Sequence, residues 1–331
     1  MKHLKMAVVG CGAHSRAVHG PALQRYAATH GLVRLAACCD LDPASAQRFA
    51  REFGFEAAYT DVDQMLDREP FDALLLVVPP EKTCELACRL LDRRISLLME
   101  KPPGMTVEET DRMIDSAERG GVMHMVAVNR RFMPFVRALK DRLVADPALK
   151  IQHIDYEFVR VNRRDRDFST TAFHGIDAVR FIAGSDYETV RFTYQPIPSD
   201  GFPASNVFMD GSMASGVTVH LKFLPASGAL AERVTVYATD RTYELQMPIF
   251  RGIDGAGRLR CLERGAAAEV LSGSGGDGAA MVEASGFYGE NAAFLEALSH
   301  GKRPEPELAA VRQSVAVTAC FRARSAEYRR G

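Results

Sequence analysis

The chain has 331 residues, 47% of them hydrophobic, which is enough material for two domains with cores of their own. Its net charge of −1 leaves no electrostatic footprint for nucleic acid or an anionic membrane surface, and neither partner is expected. The start MKHLKMAVVGCG lacks a signal-peptide pattern. Seven cysteines with no CxxC, and no histidine pair at ligand spacing, read as reduced thiols, so a cytoplasmic setting and no metal are expected.

Met6-Ala-Val-Val-Gly10-Cys-Gly12 is an apolar strand that runs into Gly-x-Gly and then a helix. In that arrangement, backbone N–H groups and a helix N-terminus receive a pyrophosphate. Gly10 permits the tight turn, and Gly12 lets the backbone approach the phosphate without a Cβ. Ser15 stands where this fingerprint usually has Gly or Ala, and Ala13 and His14 complete the loop expected to touch a dinucleotide. Up to residue 128 the chain then alternates strands (5–9, 34–39, 57–59, 73–78, 96–99, 122–128) with helices (13–29, 43–53, 61–66, 82–93, 107–119), the βαβ signature of a parallel sheet. Asp42 before Pro43, and Thr106 with Glu109, mark helix starts; Gly54 and Gly120 mark stops; Pro21 interrupts or restarts the first helix.

The second strand ends in Asp40, placed to accept hydrogen bonds from ribose hydroxyls and to repel a 2′-phosphate, which favours NAD over NADP; otherwise it is a solvated residue opening a βα loop. Val78 and Pro79 end the fourth strand, either stiffening a loop over the cofactor or simply terminating the strand. After a linking helix at 132–144, strands at 151–161, 189–193, 217–223, 233–238 and 242–246 imply an open, largely antiparallel sheet. A glycine-rich loop covers 273–278, and terminal helices cover 288–299 and 307–326, the last expected to pack back on the first domain. The expected domains are 1–128 and 129–331. Val217, Val219 and Leu221 read as an outward apolar stripe covered by another subunit, hence a homo-dimer or homo-tetramer.

GCGAHS, CCDLDP, VVPP, MEKPPG, AVNRRFMP and FHGIDAVRFIAG, in that order, resemble the glucose–fructose oxidoreductase / inositol dehydrogenase / MocA (Gfo/Idh/MocA) family over essentially the whole chain. The resemblance implies an α/β Rossmann dinucleotide-binding domain followed by an α+β domain with an open, largely antiparallel sheet. It implies NAD(P)-dependent hydride transfer at a secondary carbinol of a sugar, polyol or sugar derivative held between the Rossmann domain and the sheet face. Lys101 would lie beside the nicotinamide and the reacting hydroxyl, with Glu100 orienting it or the cofactor ribose, and Asn129 and Arg131 near nicotinamide and substrate.

The family's second signature is an Asp followed four positions later by a His. His174 fills the second position, but Thr170 occupies the first. A threonine hydroxyl is no base at neutral pH, so His174 is expected to share proton transfer with Lys101 while Thr170 contacts substrate. Asp177 would orient the helix or the histidine. The run from Arg160 to Asp167, with four arginines and two aspartates, reads as a self-paired solvated loop or, with Arg163 at the substrate, as a site for an acidic sugar. Two other readings stand beside the dehydrogenase: a sugar hydrolase or epimerase that uses NAD only transiently, and a non-catalytic NAD-binding sensor.

Overall fold

The computed structural model describes residues 3–163, 167–198, 204–273 and 278–331. The chain divides into two compact units, Met1–Asn129 with Phe287–Val315, and Arg130–Gly286 with Ala316–Gly331. The expected second domain thus loses Phe287–Val315 to the first unit, and the helix Leu308–Arg322 contributes to both.

The first unit holds six parallel strands, β1 (Leu4–Val9), β2 (Val33–Cys39), β3 (Ala57–Tyr59), β4 (Ala73–Leu76), β5 (Ser96–Glu100) and β6 (His124–Ala127), ordered β3-β2-β1-β4-β5-β6. Such strands are covered on both faces, which is why Met6 to Val8, Leu74 to Leu76 and Leu97 to Met99 are all buried apolar residues. Local signals set several boundaries. Asp42 caps Pro43–Phe53 by accepting from Ala44 N and Ser45 N, and Thr106 Oγ1 caps Val107–Gly120 by accepting from Glu109 N. Glu109 returns its carboxylate to Met105 N at 2.6 Å, one residue short of the usual capping box. The stop expected at Gly120 falls one residue later, on Gly121 with φ +62°. Pro21 does restart the first helix: a π-helical turn, Ser15–His19, precedes the regular helix Gly20–His30.

The second unit carries β7 (Ile151–Val161), β8 (Tyr187–Pro196), β9 (Ser205–Met213), β10 (Thr218–Ser227), β11 (Ala231–Ala238), β12 (Arg241–Gln246), β13 (Arg258–Glu263), β14 (Ala266–Ser272) and β15 (Glu327–Arg329). Their order is β14-β13-β12-β11-β7-β10-β9-β8-β15, with β7 and β10 parallel and the other pairs antiparallel. The helices Pro134–Ala145 and Ser169–Ala183 pack on one face, which holds the core around Tyr156, Ile176, Phe223 and Phe321. Val217, Val219 and Leu221 lie in that core, so they face inward rather than toward another subunit, and the expected oligomer loses this support. Their alternating neighbours on β10, Thr218, His220 and Lys222, face the other way and pair across strands, His220 with Asp210 and Lys222 with Glu157. No helix of the described residues is long and apolar enough to cross a membrane.

Both arginines of the NRRF segment lie in the second unit, clamped to buried carboxylates. Arg131 forks onto Asp177 through Nε at 2.8 Å and Nη2 at 2.6 Å. Arg130 forks onto Glu232, which also takes Arg160 and the Tyr156 hydroxyl, the latter at 2.9 Å. Burial works against charge on Glu232, but the two guanidiniums outweigh it and bring its pKa down to about 2. A depressed carboxylate stabilises the fold above its unfolded pKa and loses that contribution as pH falls through the folded value. With a shift from 4.5 to about 2, the contribution is on the order of 3 kcal/mol. Glu232→Gln should cost about 3–5 kcal/mol near neutral pH by stranding two buried guanidiniums. Denaturant unfolding of both proteins across pH checks this: their difference should hold steady above pH 4.5 and shrink toward pH 2, and a constant difference would contradict the assignment.

Candidate cofactor and proton-transfer site

In the first unit the strand order reverses between β1 and β4, and ligands of open α/β sheets bind at the carboxyl ends of the strands flanking such a point. A cleft of about 340 Å³ lies there, lined by Gly12, Ala13, His14 and Ser15 from the loop after β1, Val77 to Pro80 after β4, and Glu100 and Lys101 at the end of β5. It therefore brings together seven of the residues expected at the cofactor: Gly12, Ala13, His14, Val78, Pro79, Glu100 and Lys101.

The two loop glycines have different causes. Gly10 adopts φ +95°, and a Cβ there would sit 1.8 Å from the carbonyl oxygen of Val77, so the turn cannot accept a side chain. A Cβ on Gly12 would meet no protein atom within 4 Å, yet Gly12 lines the cleft; its missing side chain leaves room for a ligand rather than for the protein. Ser15 is fully buried, and its hydroxyl donates to Gly10 O at 2.5 Å, so the departure from Gly or Ala ties the helix start to the turn. Asp40 accepts from Cys11 N at 2.7 Å through Oδ2 and from Asp42 N at 2.9 Å through Oδ1, which holds its carboxylate against the same turn. These features fit a dinucleotide: an open glycine backbone for the pyrophosphate and a fixed acceptor at the end of β2.

Glu100 is 8% exposed and is the electrostatic centre of the cleft. Its Oε1 accepts from Nε2 of both His14 and His19 at 2.9 Å, and its Oε2 accepts from Lys101 N at 2.9 Å. Burial alone would push its pKa up, but the field of His14 and the hydrogen bonds of both histidines hold it well below the usual carboxylate range. Phe287 packs edge-on against both imidazoles, with centroids at 5.6 and 6.0 Å. His14, His19 and Glu100 are also the one trio of metal-ligand type among the described residues, and their donor atoms are already joined by hydrogen bonds. Sequence reasoning missed His19. Five residues along a regular helix lie about 140° apart at 3.6 residues per turn, so His14 and His19 do not read as neighbours; the π-helical turn between them brings the positions onto one side.

In the second unit, His174 sits half-buried in the first turns of Ser169–Ala183. Gly175 lets this helix settle on the sheet, since a Cβ there would lie 2.8 Å from the Tyr156 ring and 3.0 Å from that of Phe223. Thr170 Oγ1 donates to Asp167 O at 3.3 Å, and Asp167 itself caps Ser169 N and pairs with Arg322. Arg163 reaches Thr171 Oγ1 at 3.2 Å beside this helix start. Arg131, expected at the substrate, is committed to Asp177, so Asp177 orients that guanidinium. Asn129 is buried at the end of β6. Arg164, Asp165 and Arg166 of the charged run, and most of the glycine-rich loop, lie outside the described residues.

The sheet order and the glycine cleft define a dinucleotide-binding Rossmann unit. Residues 4–128 match the Gfo/Idh/MocA family model, described as an oxidoreductase family with an NAD-binding Rossmann fold. Glucose-6-phosphate 3-dehydrogenase of Bacillus subtilis is 27% identical over 205 residues, 56% of each chain. The chain spans about half the length of the curated relatives it matches. The fold extends further. A dehydrogenase from Chromobacterium violaceum superposes with TM-score 0.83 at 23% identity, covering 96% of this chain and 94% of that one. Levoglucosan dehydrogenase, solved in complex with NADH and L-sorbose, does so with TM-score 0.83 at 18% identity, covering 99% of both.

The two glycines give separable expectations. Gly12→Val should leave the thermal midpoint nearly unchanged and weaken NADH binding at least ~10-fold, because the added side chain occupies only ligand space. Gly10→Val should unfold or strongly destabilise the protein through its clash and positive φ. Thermal melts and NADH fluorescence titrations decide; a destabilised Gly12 variant with normal affinity would refute the division.

Proposed function

We propose that the protein is an NAD-dependent dehydrogenase acting on a secondary carbinol of a sugar, polyol or sugar derivative. The observation that carries the reading is the convergence, in one cleft at the sheet's switch point, of the open Gly12 loop with Glu100 and Lys101. The family match supports the redox class, and the sugar and polyol dehydrogenases among the relatives support the substrate class. NAD, when bound, supplies the hydride acceptor. Gly12 to His14, Val78, Pro79 and Asn129 hold the cofactor, and Asp40 holds its adenosine ribose, as an acceptor that a 2′-phosphate would repel.

Lys101 takes the hydroxyl proton or stabilises the alkoxide. Its backbone N–H donates to Glu100, a carboxylate held ionised in the cleft that both residues line. His174 shares proton transfer, and Thr170 contributes a hydroxyl contact. Arg163, beside the same helix start, is the candidate partner for an acidic substituent on the substrate. Seven free cysteines, five of them buried, support a reducing cytoplasmic setting.

Three results are expected. First, the protein should reduce NAD with at least one member of a panel of sugars, polyols and sugar acids, and should bind NADH several-fold more tightly than NADPH. Replacing Asp40 with Ser should narrow that gap; equal or reversed affinities would overturn the role of Asp40. Binding of NADH without any turnover would favour the sensor, and sugar conversion without net NADH would favour the non-redox reading.

Second, Lys101→Ala should lower kcat by on the order of 100-fold or more while NADH affinity stays within a few-fold. Third, His174→Ala should be comparably damaging and the double variant little worse than either single one, because groups in one relay are not additive. Steady-state kinetics with a titrated cofactor decide both; a mild His174 variant would remove the histidine from the relay.

A further inference from the structure

His19 is fully buried, and both of its ring nitrogens have partners. Nε2 lies 2.9 Å from Glu100 Oε1, and Nδ1 lies 3.0 Å from Asn291 Nδ2, reached from the helix Phe287–Ser299 of the same unit. Asn291 Nδ2 also lies 2.8 Å from the Phe287 carbonyl oxygen. A carbonyl can only accept, so this amide atom is the NH2 group, and turning the amide over would set two oxygens against each other. The NH2 therefore donates to Nδ1 as well, which makes Nδ1 the acceptor and leaves the ring proton on Nε2, aimed at Glu100. The cost is visible: Asn291 Oδ1 is buried with no hydrogen-bond partner. A buried amide that leaves its own oxygen unsatisfied in order to donate twice calls for a reason.

We infer that Asn291 is a positioning residue for the cofactor cleft: it fixes the Nε2–H tautomer of His19 and, through it, the Glu100 carboxylate and the Lys101 backbone. The chain of contacts runs Asn291, His19, Glu100, Lys101 N, each link with a donor and an acceptor. Without the Asn291 donor, the His19 proton is free to move to Nδ1, and a lone pair then faces the buried carboxylate. Glu100 would lose one of its two imidazole donors and would turn toward solvent in the cleft, taking the Lys101 backbone with it. A residue far along the chain thereby sets the shape of a site built from β1, β4 and β5.

The inference rests on the proposed cofactor site, and its test needs no turnover. Two-bond proton–nitrogen correlation spectra of the nitrogen-labelled full chain, with His19 assigned by the loss of its signals in His19→Gln, should show a protonated Nε2 and an acceptor Nδ1. The opposite tautomer overturns the proposal. Asn291→Leu keeps about the size but removes the donor; it should free the ring proton to move to Nδ1 and weaken NADH binding about ten-fold, the scale of one lost charged hydrogen bond. Asn291→Ala also removes the donor and should weaken NADH at least a few-fold, so either variant that folds is decisive. Unchanged NADH affinity in a folded variant overturns the positioning role. If the tautomer and affinities behave as expected but no sugar is oxidised, the dehydrogenase reading fails and the relay stands.

Discussion

The cofactor cleft of the first unit is organised around the buried charge of Glu100. A carboxylate as enclosed as Glu100 stays ionised only where donors replace the water it has lost, and each of its oxygens has found them. The surrounding peculiarities follow. Two imidazoles five residues apart can meet one oxygen only if the helix after Gly12 is locally overwidened, and Ser15–His19 is π-helical. His14 leaves its ring partly in the cleft, while His19 is sealed beneath it and takes a second bond from Asn291. The charge held this way sits next to Lys101 at the strand end, in the cleft that both residues line.

The second unit answers the same problem differently. Glu232 and Asp177 are buried too, but guanidiniums rather than imidazoles compensate them, and the bidentate forks lock the turn after β6 onto the sheet and onto the helix that carries His174. This divides the AVNRRF segment: its arginines are structural ties within the second unit, while Asn129 closes the first. A motif met at a site need not act on the ligand; part of it can hold together the scaffold that presents the rest.

What was legible in the sequence depended on how local its cause is. The parallel strands, the Asp42 and Thr106 caps and the restart at Pro21 each rest on a few neighbouring residues, and they appear within a residue or two of the expected positions. Strands β9, β13 and β14 escaped because SNVFMDGSM, RLRCLE and AAAEVLS carry weak alternation or small residues, and only pairing with an existing sheet makes them strands. The stripe on β10 was seen correctly as alternating but assigned to the wrong face, since period two does not say which side the helices cover. For the site, the glycine loop and Asp40 were readable from spacing, and Glu100 and Lys101 came from the family resemblance. The bonds that hold them were not: His19 reaches Glu100 across 81 positions and Asn291 reaches His19 across 272.

The same distinction bears on Thr170, where this chain departs from the Asp-to-His pattern that its sequence otherwise resembles. If another carboxylate had taken over the missing charge, it would have to be near the helix start and uncommitted. Asp167 is engaged by Ser169 N and Arg322, and Asp177 by Arg131, so both are occupied in holding the helix. The Thr170 hydroxyl itself points its proton at the Asp167 carbonyl. Among the described residues of that helix start, the group with proton chemistry suited to neutral pH is therefore His174, seated on the sheet by Gly175. Thr170 thus leaves the helix start with an imidazole and no carboxylate at that position, the arrangement that the proposed sharing of proton transfer by His174 requires.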